Sequence, residues 1–391
     1  MAPQVDALIV SPPCPVWGAQ LYLLDQIDAL RDRGVHLTLG TSRGHPFADA
    51  WEERGLPLVE IELQRGQGLR RPGSTKRPGP RSLAASSSAI VRESRHIASV
   101  AGRFDMLYSF SLLCHVQVAV AGKLSRTPAA LDLVDIVKPG VGQRVLRLAA
   151  RLADLTVANS RATASVLRRA GPVRIIHPGI DLGRFHSGEA QPALRAQLAN
   201  DVEAPLVGIV GRLDVRKGVH VLVDAMSQLS GDAADAQLVV VGEAGTGPPD
   251  YAEQLRRDAA TLLGDRVKFV GRRSDVPDIM RAIDVLVVAS QSEPFGLTAL
   301  EAQASRTPVV GTDAGGLPEF VEHEVTGLLV PPFESEPLAR AIERIISDED
   351  LRRRLVDEAE RRVVPARGLE AQYDEIAQMY RDVAARSAAD G

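Results

Sequence analysis

The chain has 391 residues, which is enough for two or three domains with substantial cores. Its net charge of −4 argues against a general nucleic-acid binder, because such proteins carry an excess of positive charge. With only Cys14 and Cys114, neither a disulfide framework nor a cysteine-based metal site is expected. The start of the chain lacks the basic region of a signal peptide, and no apolar segment approaches membrane-spanning length. These features predict a soluble, cytoplasmic protein.

Short β-branched runs alternate with helical patterns along the chain, which favours parallel α/β sheets. The predicted strands of the first half are Asp6–Val10, His36–Leu39, Leu58–Leu63, Asp105–Phe110, Ala129–Val134, Leu155–Ala158 and Val173–Ile176. Those of the second half are Leu206–Val210, Leu238–Val241, Val267–Val270, Val285–Val288, Pro308–Gly311 and Gly327–Val330. An amphipathic helix is predicted over Gln20–Arg31, with Gly34 ending it.

Two such series predict two Rossmann-like, doubly wound domains, because one continuous sheet of this size would be unusually large. We place the domains at residues 1–184 and 206–365, with a polar linker over 185–205 and a C-terminal helix within 366–391. The basic, Gly-, Pro- and Ser-rich segment Arg65–Ser88 predicts a surface loop. Alternatively, this loop orders over an acceptor or touches an anionic surface.

Loops that follow strands are the candidate ligand sites, because open parallel sheets bind ligands there. Gly18 lies at a helix entry after the first strand, where backbone can approach an anion; an ordinary turn is the alternative. Arg212 and Lys217 flank a turn that opens a helix and can hold a diphosphate, unless they are a solvated charge cluster. Arg272 follows the third strand of the second domain, where a base could stack, although the signal there is weak.

Glu293 and Glu301, separated by seven residues, flank a Pro-Phe-Gly turn that reads as the start of a helix. Backbone N–H groups at such a turn suit a phosphate, whereas carboxylates would repel phosphate and serve hydroxyl groups. Acids around an anion-binding turn therefore predict a ligand with both hydroxyls and phosphate, such as a sugar nucleotide. Glu301 lies among small apolar residues, so its carboxylate needs a partner.

Taken together, these residues resemble the family 4 retaining glycosyltransferases of the GT-B fold, in which two Rossmann-like domains face each other across a cleft. The resemblance covers nearly the whole chain and is specific as an ordered series, whereas any one element is not. It is carried by the stretches His177–Phe185, Gly211–Gly218, Glu293–Ala302, Pro308–Val310, Gly315–Glu319 and Thr326–Val330.

The resemblance implies a hexosyltransferase that moves a sugar from a nucleoside diphosphate, UDP or GDP, to an acceptor. Arg212 and Lys217 would then bind the diphosphate, Glu301 the ribose, and Glu293 the sugar near its reacting carbon. Gly18 would approach the diphosphate from the other domain. The backbone that would cradle sugar and phosphate belongs to Phe295, Gly296, Leu297 and Thr298.

The family needs no metal or other cofactor, and no Asp-x-Asp pair follows a strand in this chain. Retention in the family is attributed to front-face attack, in which the departing phosphate helps to deprotonate the acceptor. The last helix of the family usually crosses back to the first domain, and Leu369–Val383 fits that role. The resemblance does not determine the acceptor, because members of the family glycosylate small molecules, saccharides and lipids. The basic segment Arg65–Ser88 permits contact with an anionic membrane.

Two positions depart from the family pattern. Trp17 precedes Gly18 where the family has paired glycines, so a bulky ring borders the expected cleft. The histidine that often lies near the C6 hydroxyl of the sugar is Val134 here. Either this part of the site is less polar, or Asp132 or Asp135 makes the contact.

Three other functions are alternatives. A GT-B nucleotide-sugar epimerase would convert donor without an acceptor. A non-catalytic nucleotide-sugar-binding protein is disfavoured by the presence of Arg212, Lys217 and both acids. An NAD-binding dehydrogenase is disfavoured because no Gly-x-Gly-x-x-Gly follows the first strand.

Overall fold

A computed structural model describes residues 3–16, 18–63, 80–245 and 250–388. The chain divides into two compact units, each with its own sheet. The first comprises Met1–His177 and Gln372–Gly391, and the second comprises Pro178–Ala371. None of the helices in the described ranges is both long and apolar enough to cross a membrane.

The described part of the first unit is built on seven parallel strands in the order β3-β2-β1-β4-β5-β6-β7. Their bounds are β1 (Val5–Val10), β2 (Val35–Thr41), β3 (Leu58–Glu60), β4 (Met106–Ser109), β5 (Ala129–Leu133), β6 (Leu155–Ala158) and β7 (Val173–Ile175). The helices beside them are α1 (Gly18–Asp25), α2 (Ile27–Asp32), α3 (Pro46–Glu52), α4 (Pro80–Ala101), α5 (His115–Ser125), α6 (Val141–Leu152) and α7 (Arg161–Ala164). All seven predicted strands are present, and only the third is clearly shorter than predicted.

Two predictions for the first unit are corrected. The helix over Gln20–Arg31 is interrupted, because the buried side-chain amide of Gln26 donates to Tyr22 O at 2.9 Å. The backbone N–H of Gln26 bonds to Leu23 O instead, which breaks the ladder between α1 and α2. In the predicted loop over 65–88, residues 65–79 lie outside the described residues, while Pro80 to Ser88 open helix α4. Proline is pre-organised for a first helical turn, which explains a helix beginning there.

The second unit has six parallel strands in the order β10-β9-β8-β11-β12-β13 among its described residues. They are β8 (Leu206–Val210), β9 (Gln237–Val241), β10 (Val267–Gly271), β11 (Val285–Val288), β12 (Val309–Thr312) and β13 (Leu328–Val330), at the six predicted positions. The helices are α8 (Pro192–Leu198), α9 (Val219–Ser227), α10 (Tyr251–Leu263), α11 (Val276–Ala282), α12 (Leu297–Ala304), α13 (Ser335–Ser347) and α14 (Glu349–Arg362). Strand order reverses between β8 and β11, which is the position where doubly wound sheets bind ligands.

Strand β9 shows why these strands could be predicted from the sequence. Leu238 and Val240 face one apolar core, whereas Val239 and Val241 face the other. A strand covered by helices on both faces must be apolar at every position, so it reads as a continuous hydrophobic run. The fold class is therefore two Rossmann-like parallel-sheet units, as predicted.

Two helices, one before and one after the strands of the second unit in sequence, complete the two units. In the predicted linker 185–205, helix α8 buries Leu194 and Leu198 in the core of the second unit. The last helix, α15 (Leu369–Ala384), buries Ala377, Met379 and Tyr380 in the core of the first unit.

Candidate active site

The loop after β8, Gly211–Gly218, is a tight turn that presents Arg212 and Lys217. The side chain of Asp214 accepts a hydrogen bond from Arg216 N at 3.0 Å and so caps the short helical turn that ends at Lys217. Gln291 N donates to Arg216 O at 2.7 Å, which joins this turn to the loop after β11. The two loops at the switch point are thereby held as one structure.

Gly218 allows this close approach, and its replacement gives a stability prediction. Gly218 has φ +67°, and a Cβ there would lie 2.0 Å from Ala289 O. We expect Gly218→Ala to lower the free energy of unfolding by more than about 2 kcal/mol, because both backbone strain and a clash oppose it. Gly231, with φ +56° and open space around its Cβ position, is the matched control and should lose only about 1 kcal/mol. Urea unfolding measures both; equal losses would contradict the tight loop-to-loop contact.

Lys217 and Glu293 meet at the switch point. Lys217 Nζ lies 2.8 Å from Glu293 Oε2, and Ser290 Oγ donates to the same oxygen at 2.8 Å. The carboxylate is largely buried, with its side chain 13% exposed. A buried carboxylate requires such partners, and they give Glu293 a defined orientation.

The backbone of Glu293 is held by the loop after β12. Gly316 N donates to Glu293 O at 2.7 Å, and Gly315 forms a bridge with Glu293. A Cβ at Gly315, where φ is +67°, would lie 2.0 Å from Glu293 O, so a larger residue would push the two loops apart. The paired glycines thus position the backbone of an acid.

Helix α12 begins directly after this acid. Gly296, with φ +108°, precedes its first residue, Leu297. The Phe295 ring is buried and stacked on Phe320 with a centroid distance of 4.8 Å, so only its backbone is available to a ligand. Thr298 lines a small recess that is also lined by Gly211, Arg212, Lys217 and Ser290. The first turn of α12 and two cations therefore border one recess, an arrangement suited to phosphate.

Glu301 lies in the second turn of α12. Burial raises the pKa of its carboxyl to about 7, while the positive charge of Arg184 lowers it. The sequence predicts that the Glu301 carboxylate needs a partner, and Arg184 is a charged group that interacts with it. A carboxyl with this pKa changes charge near neutral pH.

The two remaining predicted cations are more exposed. Arg212 is half exposed and lies 3.6 Å from Asp214 Oδ2. Arg272 is exposed in the loop after β10, and its neighbour Arg273 forms two hydrogen bonds, of 2.8 and 2.6 Å, with Asp275. Arg273 is therefore engaged within its own loop, and Arg272 extends into solvent.

The remaining candidate residues belong to the first unit. Gly18 is the first residue of α1, as predicted, whereas Trp17 lies outside the described residues. Val134 and Asp135 are exposed just after β5. Burial raises the pKa of Asp132 to about 7, although a hydrogen bond with Tyr108 opposes the shift. The Tyr108 ring lies 5.3 Å from that of Tyr380 on α15.

Sequence reasoning missed several residues of these sites. Ser290 orients Glu293, Asp214 caps the Arg212–Lys217 turn, and Arg184 faces Glu301. Only Asp214 carried a signal, because an aspartate just before a short helix is a common N-cap. Arg184 acts across a sequence gap that no local pattern spans, and the bond of Ser290 to Glu293, three residues later, depends on the conformation of the turn between them. Among the described residues, no three or more His, Cys, Asp or Glu side chains form a group that could hold a metal ion.

Comparisons with known proteins agree with this architecture. The family model for glycosyltransferase family 4 matches residues 16–184, and the model for glycosyl transferases group 1 matches residues 190–362. A D-inositol 3-phosphate glycosyltransferase of Segniliparus rotundus is 31% identical over 344 residues, covering 82% of this chain and 74% of that protein. The α-D-kanosaminyltransferase of Streptomyces kanamyceticus is 30% identical over 68% of this chain and 70% of its own length.

Among solved structures, Anabaena Alr3699/HepE in complex with UDP-glucose superposes with a TM-score of 0.77 at 28% identity. It matches 97% of this chain and all of its own. Family models over both units, relatives across most of the chain and a shared fold lead to one conclusion. The chain belongs to glycosyltransferase family 4 and is a glycosyltransferase of the GT-B fold.

Proposed function

We propose that this enzyme transfers a hexose-type sugar from a UDP-sugar to an acceptor hydroxyl, with retention of configuration and without a metal ion. The observation that carries the proposal is the Lys217–Glu293–Ser290 network at the switch point, beside Arg212. It combines cations for a diphosphate with an oriented carboxylate for sugar hydroxyls.

The reaction first requires that the negative charge on the departing diphosphate be stabilised. When the bond between C1 of the sugar and the β-phosphate oxygen breaks, its electron pair stays on the departing diphosphate. Arg212 and Lys217 are placed to stabilise that charge, together with the N–H groups at the start of α12. Two fixed cations can supply the stabilisation that a divalent ion gives elsewhere, which supports the proposal that no metal is needed.

Glu293 is suited to hold the sugar. Both of its observed hydrogen bonds end on Oε2, so they orient Oε1 to accept a bond from a sugar hydroxyl. The acceptor oxygen forms a new bond to C1 on the face that the diphosphate leaves, and its proton passes to a phosphate oxygen of the leaving group. In this proposal Glu301 accepts hydrogen bonds from the ribose, and Arg272 is available to the base.

The choice of donor and acceptor rests on relatives. The Anabaena structure holds UDP-glucose, which favours UDP over GDP here. The Segniliparus protein is named for D-inositol 3-phosphate, which favours a small hydroxylated acceptor over a polymer. The Streptomyces protein is named for the sugar that it transfers, kanosamine, which favours a hexose-type donor.

The test is a donor panel followed by product analysis. UDP-, GDP-, ADP- and dTDP-sugars are screened for binding by calorimetry, and the best donor is incubated with D-inositol 3-phosphate and other hydroxylated acceptors, with and without EDTA. We expect a UDP-sugar to bind tightest and the product to keep the donor's anomeric configuration by NMR, at an EDTA-independent rate. An inverted product or loss of turnover in EDTA would overturn the mechanism. An epimer formed from donor alone would establish the epimerase alternative, and donor binding without any turnover would establish a non-catalytic binding protein.

A further inference from the structure

Helix α6 of the first unit has an unusual solvent face. Leu146, Ala149 and Ala150 are buried against the unit. On the opposite side Val141 is 63% and Leu148 is 52% exposed. Arg144 and Arg151 are exposed between and beyond them. The four exposed residues recur at helical spacing, so they form one stripe in which apolar and basic side chains alternate.

The charge of this stripe is not neutralised within the unit. Helix α6 contains no acidic residue, and among the described residues Arg144 and Arg151 take part in no ion pair. On helix α14 of the second unit, by contrast, Arg361 forms an ion pair with Glu358 at 2.7 Å. Other described surface arginines, such as Arg272, also take part in no ion pair, so the α6 stripe is distinguished by the combination of unpaired cations with exposed apolar residues.

A third arginine of the helix has a structural role. Arg147 Nε donates to Val166 O at 2.8 Å, which ties α6 to the segment after α7. This bond holds the helix in place while Arg144 and Arg151 extend into solvent. The stripe is therefore part of a packed helix.

Neighbouring loops extend the same character. Lys138, just before α6, is exposed. Leu112 and Leu113, in the loop after β4, are 38% and 49% exposed. Strands β4 and β5 are paired and parallel, so the loops that follow them leave the sheet at the same edge, where α6 begins. Basic and apolar side chains are therefore also exposed where α6 begins, together with one acid, Asp135.

We propose that the α6 stripe, Val141, Arg144, Leu148 and Arg151, together with Lys138, docks on the surface of an anionic lipid membrane. A polyanion in solution would be held by the charges alone and would gain nothing from exposed Val141 and Leu148. At a membrane, arginine and lysine stems lie along the apolar boundary with their charges among the headgroups, while leucine and valine enter the acyl region. Alternating basic and apolar residues on one face match that environment.

The strength of docking follows from the size of the stripe. A short helix with two exposed cations and one lysine before it gives reversible, peripheral binding that requires anionic lipid and weakens as salt increases. The docking surface is distinct in sequence from the basic segment 65–88, of which residues 65–79 lie outside the described ranges. It is also independent of the proposed donor chemistry, so it can be tested without an activity assay.

The test is co-sedimentation of the full chain with vesicles of phosphatidylcholine alone or with about one-third phosphatidylglycerol. We expect binding only to the anionic vesicles. Arg144→Glu with Arg151→Glu should weaken it at least about tenfold, since each basic residue near the surface contributes about a fivefold factor. Arg353→Glu with Arg361→Glu on α14 imposes the same charge change elsewhere and should leave vesicle binding within about twofold.

A second variant separates a membrane from a soluble polyanion. Leu148→Asn removes an apolar contact without changing charge, so it should weaken vesicle binding several-fold while leaving heparin binding unchanged. Thermal melting checks that each variant is folded. The proposal is overturned if the wild-type chain does not bind anionic vesicles, or if the α6 and α14 double variants bind alike. If Leu148→Asn leaves vesicle binding unchanged, the membrane proposal is also overturned, and the stripe would instead bind a soluble polyanion.

Discussion

Lys217→Ala is expected to lower kcat/KM by about 100- to 1,000-fold while the protein stays folded. The ammonium group sits at the switch point, 2.8 Å from Glu293 Oε2 and beside the recess that Arg212 also lines. Removal of one preorganised group that stabilises transition-state charge costs a loss of this size. Because the alanine variant also deprives Glu293 of a hydrogen bond, both leaving-group charge and sugar orientation should suffer.

Arg216→Ala is the matched control for this experiment. Arg216 is the preceding residue in the same turn and carries the same charge, but its side chain is 56% exposed and only loosely placed, 3.9 Å from Asp214. Its contribution to the turn is the backbone oxygen that accepts from Gln291 N, which alanine retains. Steady-state kinetics with the donor found in the binding panel should show at most a few-fold change for Arg216→Ala. A near-normal kcat for Lys217→Ala would remove the diphosphate role proposed for this residue.

Glu301→Gln is expected to stabilise the unliganded protein while weakening donor binding. Burial raises the pKa of this carboxyl from 4.5 to about 7, so folding disfavours its charged form. At about 1.4 kcal/mol per pKa unit, the neutral amide should raise the free energy of unfolding at pH 8 by up to about 3 kcal/mol. The same change removes the charged acceptor proposed for ribose hydroxyls, and we expect about a tenfold loss of UDP affinity.

The pH dependence of this effect has a defined sign. Between pH 4.5 and about 7 the folded carboxyl binds more protons than the unfolded one, so its contribution to stability falls as pH rises. The gain from Glu301→Gln should therefore be small below pH 4.5 and complete above pH 7. Urea unfolding at several pH values and calorimetry with UDP measure the two effects.

Glu324→Gln provides a control of opposite sign. Its hydrogen bond with Arg344 holds the pKa of Glu324 below its usual value, so the charged form is favoured by folding. The glutamine variant should be slightly less stable than the wild type at pH 8. If Glu301→Gln were also destabilising at pH 8, the carboxylate would be well compensated in the fold, and Arg184 would be a stronger partner than the raised pKa implies.

The fold was predictable because its strands are covered on both faces. Strands such as β9 must be apolar at successive positions, and this pattern marks a parallel strand without reference to any other part of the chain. Helix α2 shows the limit of local patterns. Its separation from α1 depends on one buried side chain, Gln26, which competes with the backbone for Tyr22 O. Apolar periodicity carries no sign of that competition.

In the candidate site, the sequence predicted candidate residues but not the contacts between them. Local spacing placed Arg212 and Lys217 on one turn and Glu293 and Glu301 around the start of one helix, because those groups are close along the chain. It also determined two Rossmann-like units, since hydrophobic runs and turn residues act locally. Only the tertiary structure decided that Lys217 and Ser290 share one oxygen of Glu293 and that Arg184 faces Glu301. Those relations arise where strand order reverses and brings distant loops together, and burial there sets the charge of Glu301; neither can be read from residues that are neighbours in sequence.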